Sequence, residues 1–329
     1  MGRKVAPVRL LFTLAVLALL TCKHPDADLH PNRVVATIPT GGPVSAMAIS
    51  PGGTRLYVAC YDRPFGNRIL VLQTRGYLEL NSFHHGGLPL GMTVLPDGGY
   101  VYVADDPMLD NDGACVWVMR TTDCSIAATI PTYHWPDVLV PTPDSRFVYV
   151  GRTYGSPLLV IRSKDNVIVD TVDGHPPVAI SPNGVHLYAG SNPIHIYRTS
   201  NNTVCDSLAT GISVCDFTIL PDGSRLYAIA GQDTGRVYVY RLSDNTLEDS
   251  IFISHRLERI VTLPSSRFVY ASSYYDQSLY AIRTSDNTVC DSIPIGTSSY
   301  NMIVHPDGSR IYVYPSCLMN SDQVVVVGY

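Results

Sequence analysis

Five of the ten histidines stand in short segments rich in Gly, Pro and aromatic residues. They are His84 and His85 in Phe-His-His-Gly-Gly, His134 in Tyr-His-Trp-Pro, His175 in Asp-Gly-His-Pro-Pro and His255 in Ile-Ser-His-Arg-Leu. Neutral imidazole binds copper or zinc through a ring nitrogen, and its titration near neutrality suits it to move protons. If His85, His134, His175 and His255 converge, they form a metal site or an acid–base set. If they do not, they are loop histidines that face solvent. A second candidate is acidic: Asp105, Asp106, Asp110 and Asp112 crowd one stretch that ends in Asp-Asn-Asp-Gly113. That resembles a fragment of a calcium loop, but the glutamate an EF-hand requires does not follow, and a solvated acidic turn is the favoured reading. Aromatic residues share these segments: Tyr61, Trp135, Tyr154, Tyr274 and Tyr275. Exposed Tyr and Trp are typical of interaction surfaces.

Short motifs of familiar enzymes are missing from the sequence: no Gly-x-Ser-x-Gly elbow, no His-Glu-x-x-His, no phosphate loop. Only three lysines occur (Lys4, Lys23, Lys164), which argues against a polybasic nucleic-acid surface. Charged residues make up 16% of the chain while Tyr numbers 21, a balance that disfavours helix-rich or disordered architectures and favours an all-β one.

Arg3, Lys4 and Arg9 precede an apolar run from Leu10 to Leu20, then Thr21-Cys22. A basic segment followed by so short an apolar run fits an export signal rather than a membrane span. Leu19-Leu20-Thr21-Cys22 is similar to a lipoprotein cleavage box, which makes Cys22 the candidate for lipidation. Residues 1–22 are read as this signal and 23–32 as a polar tether. Removing the signal removes three cations and no acids, so the remainder is mildly acidic. Of the eight cysteines, Cys115 and Cys124 flank a predicted hairpin and are placed to meet across it. Buried free thiols are expected for most of the others.

What positions the loops is a repeat. Seven segments begin with Pro51, Pro96, Pro143, Pro182, Pro221, Pro264 and Pro306, each followed by two or three turn residues and an apolar–aromatic strand. Tyr stands six residues after each proline: Tyr57, Tyr102, Tyr149, Tyr188, Tyr227, Tyr270 and Tyr312. An Arg two or three residues before that Tyr reads as a structural surface residue. Each unit of about 40–45 residues holds four antiparallel strands, the signature of a propeller blade. The last unit lacks a fourth strand. Asn32–Gly41 matches Asn287–Gly296, a fourth strand and its loop, so the N-terminal strand is expected to complete the seventh blade.

The Leu-Tyr-Val-Ala and Val-Tyr-Val-Ala strands, Pro-Asp-Gly turns and Ala-Thr-Ile-Pro-Thr-Gly fourth strand resemble the YVTN-type β-propeller family of exported proteins. The resemblance covers residues 33–329. It implies a seven-bladed, WD40-like toroid and a surface or periplasmic binding role, and it brings no catalytic set with it. The expectation is therefore an all-β seven-bladed propeller over 33–329, exported and monomeric, with Cys22 as the candidate lipid anchor. It presents a loop face to a protein, glycan or small ligand, with His85, His134, His175, His255, Trp135 and Tyr275 at the channel mouth. No cofactor is expected, calcium, copper and zinc having been weighed. The runner-up is a metal-assisted hydrolase, lyase or lactonase that uses the same four histidines.

Overall fold

The computed structural model describes residues 29–62, 66–85, 87–106, 113–132, 135–152, 157–230, 235–254, 256–315 and 322–329, except for the side chains of 62, 66 and 85. These residues form seven four-stranded antiparallel sheets and, among them, no helix. The blades span 44–85, 88–131, 138–172, 178–208, 214–252, 257–294 and 301–328. The seventh is completed by Arg33–Pro39, which pairs antiparallel with Gln323–Gly328. The first strand of each blade contacts the first strands of the two neighbouring blades, so these strands ring a central channel. The molecule is a seven-bladed β-propeller closed by its own N-terminal strand. Closure leaves no blade short of its outer strand.

Within each blade the first-to-second and third-to-fourth strand turns lie at one end, here the lower face. The opposite strand ends and the described parts of the inter-blade loops lie at the upper face. The lower turns are uniform. The third residue of the Pro turn adopts positive φ in all seven blades, as Gly53, Gly98, Gly184, Gly223 and Gly308 in five and as Ser145 and Ser266 in two. A left-handed serine is strained, and both serines give something in return. Their hydroxyls accept the backbone N–H of Asp97 and Asp222 from the preceding blade at 2.9 and 3.0 Å.

The core is divided into seven wedges, each between two adjacent blades and each holding one of the repeat tyrosines. All seven tyrosine side chains are buried. Each ring packs against the next blade, and in all but Tyr270 the hydroxyl side lies toward that blade's third-to-fourth strand turn. There a residue with φ near +55° recurs in six blades: Tyr77, Cys124, Asn166, Asn202, Asn245 and Asn287. Where it is asparagine it can accept the phenolic proton. Tyr102 donates to Asn166 at 2.5 Å, Tyr149 to Asn202 at 2.8 Å and Tyr227 to Asn287 at 2.7 Å. Asn202 and Asn245 also donate to Asp170 and Asp206 on the preceding blade, both at 2.7 Å.

Two of the five repeat arginines, Arg146 and Arg267, are exposed as the sequence reading expects, but three are not simply surface residues. Arg55, Arg225 and Arg310 reach across the same seam and donate to the carbonyls of Thr121, Thr284 and Thr74 in the next blade. The Cys115–Cys124 pairing is also corrected. Cys115 begins its strand opposite Pro131, while Cys124 sits in the turn at the far end, and both are free thiols.

Tyr57 and Tyr312 face Cys124 and Tyr77 instead of asparagine, and no acceptor takes their buried hydroxyl protons. Tyr149→Phe is therefore expected to cost about 1 kcal/mol in urea unfolding, while Tyr57→Phe is neutral or slightly stabilising. Equal losses at the two positions would show that the hydroxyl joint contributes nothing.

Candidate functional site

The upper face is built from loops, and loops on a rigid scaffold are where a propeller can vary its chemistry. Five large aromatic side chains are exposed among the described residues, and four of them lie on this face: Trp135 at 40%, Phe252 at 57%, Tyr275 at 60% and Tyr300 at 44%. Arginines are stacked on three of these: Arg152 over Trp135 at 5.4 Å, Arg236 over Phe252 at 5.8 Å and Arg259 over Tyr300 at 5.4 Å. Arg256 lies over Tyr274 at 4.5 Å, and Tyr274 packs edge-on against Tyr275 at 5.3 Å. A cation over an aromatic face gains about 0.5–1 kcal/mol where exposed, enough to bias both side chains toward one orientation.

In blade 6 the turn that carries Tyr274 and Tyr275 is fixed by Asp276. Its carboxylate accepts hydrogen bonds from Ser254, from Ser273 at 3.1 Å and from Tyr280 at 2.8 Å. Ser254 belongs to the loop arriving from blade 5, so one acid ties that loop to the turn beneath the two tyrosines. Beside Trp135, a small apolar recess is lined by Pro136, Val150, Pro157 and Leu159, with Thr132 and Arg152 at its edge.

The channel wall supplies charge. Five residues before the turn proline, blades 1 to 4 carry Ala46, Gly91, Val138 and Pro177, whereas blades 5 to 7 carry Asp216, Arg259 and Asn301. Asp216 accepts the backbone N–H groups of Phe217 and, across the blade boundary, Ile260, both at 3.0 Å. Burial nonetheless raises its pKa, with Arg259 opposing. Burial likewise raises Glu258 against the pull of Arg256 and Arg259. Burial pushes the Cys215 thiol up to about 12, so it stays protonated. The signal for this cluster was legible in the repeat alignment, since charge at an inner-strand position breaks the pattern of the other blades. Reading the loops alone missed it.

Of the histidines expected at the channel mouth, His175 is exposed, with its Nδ1 2.8 Å from the carbonyl oxygen of Pro176. His134 and His255 lie outside the described residues, as does the side chain of His85. Trp135 and Tyr275 are on the upper face. Among the described residues no three His, Cys, Asp or Glu side chains are grouped to hold a metal ion. Most of the acidic stretch 105–113, including Asp110 and Asp112, is also outside them. Asp105, at its start, is buried in the blade 1–2 seam against Gly87, where its carboxylate leaves no room for a side chain.

No family model matches the chain. Over 127 residues it is 32% identical to a seven-bladed beta-propeller protein of Mycobacterium tuberculosis, a match covering 38% of this chain and 30% of that one. The aligned stretch thus spans less than a third of the relative's length. Among solved structures, a chain of the hydrazine synthase of Kuenenia stuttgartiensis superposes with TM-score 0.72 at 15% identity, over 88% of this chain and 96% of that one. A chain of a mitotic checkpoint complex superposes with TM-score 0.76 at 13% identity, over 100% and 99%. The likeness is one of fold. Chains from such different assemblies share the toroid, so the function of this one has to be argued from its own upper face.

Burial pushes the Asp105 carboxyl up to about 6, against a hydrogen bond from Trp117 and with help from the charge of Asp106. Its folded pKa thus exceeds the unfolded value of about 3.9. The folded state favours the protonated acid, and this contribution is lost as pH rises from about 4 through about 6. Asp105→Asn is expected to match the parent in urea unfolding at pH 4 and to be more stable, by on the order of 2 kcal/mol, at pH 7.5. A variant with no such pH-dependent gain would refute the assignment.

Proposed function

We propose that this chain is an exported binding module of the YVTN type whose upper face holds a ligand. The observation that carries the reading is the asymmetry of the ring. Exposed aromatic residues, with arginines stacked on three of the four and on neighbouring Tyr274, concentrate on the upper face. The lower face is taken up by turns bonded to their neighbours. Tyr, Trp and Arg are the residues that dominate binding energy when a partner covers them. Residues 1–22 serve as an export signal, 23–32 as a tether and 33–329 as the propeller. Cys22 is the lipid attachment point, and the protein is monomeric outside the cytoplasm. The partner belongs to one of three classes: a protein, a glycan or a small molecule.

A photo-crosslinking amino acid at position 275 should give ligand adducts in exporting cells that Trp135→Ala or Phe252→Ser reduces. The same probe at Leu80, on an outer strand, should give none. Equal yields from both positions would remove the upper-face reading. For the anchor, Cys22→Ser should release the protein from membranes, and unchanged membrane association would count against lipidation.

A further inference from the structure

Arg256 and Arg259 stand three residues apart where the chain enters the inner strand of blade 6, at the upper mouth of the channel. Each guanidinium is stacked on a tyrosine, Arg256 on Tyr274 and Arg259 on Tyr300. The ring beside each guanidinium restrains it. Arg259 donates one side-chain hydrogen bond, to the carbonyl of Glu258 at 3.1 Å, out of the five N–H donors a guanidinium carries. Arg256 has a 3.9 Å ion pair to Glu258. Its backbone is held at φ +46°, a conformation that side-chain-bearing residues avoid unless the surroundings impose it.

Among the described residues, the acids beside the pair do not take up the N–H donors of Arg259. Asp216 turns its oxygens to two backbone N–H groups rather than to Arg259. Burial makes both Asp216 and Glu258 harder to ionise, whereas a guanidinium does not lose its proton. The remaining groups in electrostatic reach of Arg259, Cys215, Tyr300 and Tyr314, are neutral in their protonated forms. Among the described residues, the mouth between blades 5 and 7 thus carries two guanidinium groups beside tyrosine rings, and Arg259 has N–H donors that no described acceptor takes.

We propose that Arg259, with Arg256 beside it, anchors an oxyanion, carboxylate or phosphate, carried by a small ligand that enters the channel from the upper face. This rests on the upper-face binding role and assigns it a ligand class. A planar guanidinium with donors to spare is suited to two parallel N–H···O bonds to such a group.

The test is calorimetric titration of the purified chain with benzoate, with inorganic phosphate and with neutral benzyl alcohol. Saturable binding of benzoate or phosphate and none of benzyl alcohol is expected, and whichever anion binds identifies the source chemistry. Arg259→Gln should weaken that binding about tenfold or more, because a bidentate charge-assisted contact is removed. Arg259→Lys should fall between, and Arg146→Gln on the lower face should leave binding unchanged. Since Arg259 also offsets Asp216, the Asp216→Asn/Arg259→Gln pair is titrated in parallel, with thermal melts confirming that each variant is folded. Failure of both anions to bind, or binding that survives Arg259→Gln in folded protein, overturns the proposal. Crosslinks at position 275 that persist in that case leave the binding face standing and remove only its ligand class.

Discussion

Everything in this molecule depends on the seam where the tyrosine of one blade is buried against the next. A four-stranded blade has two apolar faces and cannot cover either alone, so each seam is half of what keeps two blades folded. Burying one large side chain contributes about 2 kcal/mol, and a neutral hydrogen bond adds about 1. The magnitudes explain which part of the joint is invariant. All seven tyrosines are buried, but Tyr57 and Tyr312 go without an acceptor. Packing is the constraint, and the hydroxyl bond to a left-handed asparagine is an addition where the turn permits it.

The closing seam shows the same economy. Blade 7 takes its outer strand from the N-terminus and so has no third-to-fourth strand turn to offer Tyr270. The carbonyl of Pro31 accepts the Tyr270 hydroxyl at 2.8 Å instead. The ring of His30 stacks on Phe268 at 4.5 Å, with its Nε2 3.6 Å from Asp291. Asp291 follows its left-handed asparagine by the same interval as Asp170 and Asp206, the acids that accept from Asn202 and Asn245. Two residues ahead of the first strand thus substitute for one asparagine side chain, one as acceptor and one toward the acid. The ring is closed by chemistry equivalent to that of its other seams and not by strand pairing alone.

How much of this was legible in the sequence follows from what repeats. The seven tyrosines, the Pro turns and the match of Asn32–Gly41 to Asn287–Gly296 recur in fixed register because every seam poses the same packing problem. Fold, blade number and closure could therefore be read from spacing. Arg55, Arg225 and Arg310 were misjudged because spacing reports recurrence and not direction; a long side chain on an edge can as easily cross a seam as face water. The Arg259 cluster was missed for the opposite reason. Asp216, Arg259 and Asn301 are departures from the repeat, and a search for likeness passes over them. Trp135 and Tyr275 could be assigned to loops because their segments are short and their residue types conspicuous.

The uniform lower face and the varied upper face are consequences of one another. Below, turn residues are committed to neighbours: His305 reaches the carbonyl of Gly53 at 2.9 Å, Ser145 and Ser266 take N–H groups from the blade before, and three of the repeat arginines cap the next blade's turn. A residue changed there disturbs two blades. Above, the joint between blades has already been made by the buried strands, so loop residues are released from holding the ring. Polar and aromatic side chains can then accumulate at little cost to closure, provided something local fixes them. Asp276 does this for Tyr274 and Tyr275, and the stacked arginines do it for Trp135, Phe252 and Tyr300. The concentration of such residues over blades 5 to 7, where the inner wall also turns from apolar to charged, places ordered donors and rings around one side of the channel. Packing does not require that arrangement, since blades 1 to 4 close the same seams with Ala46, Gly91, Val138 and Pro177 at the matching positions.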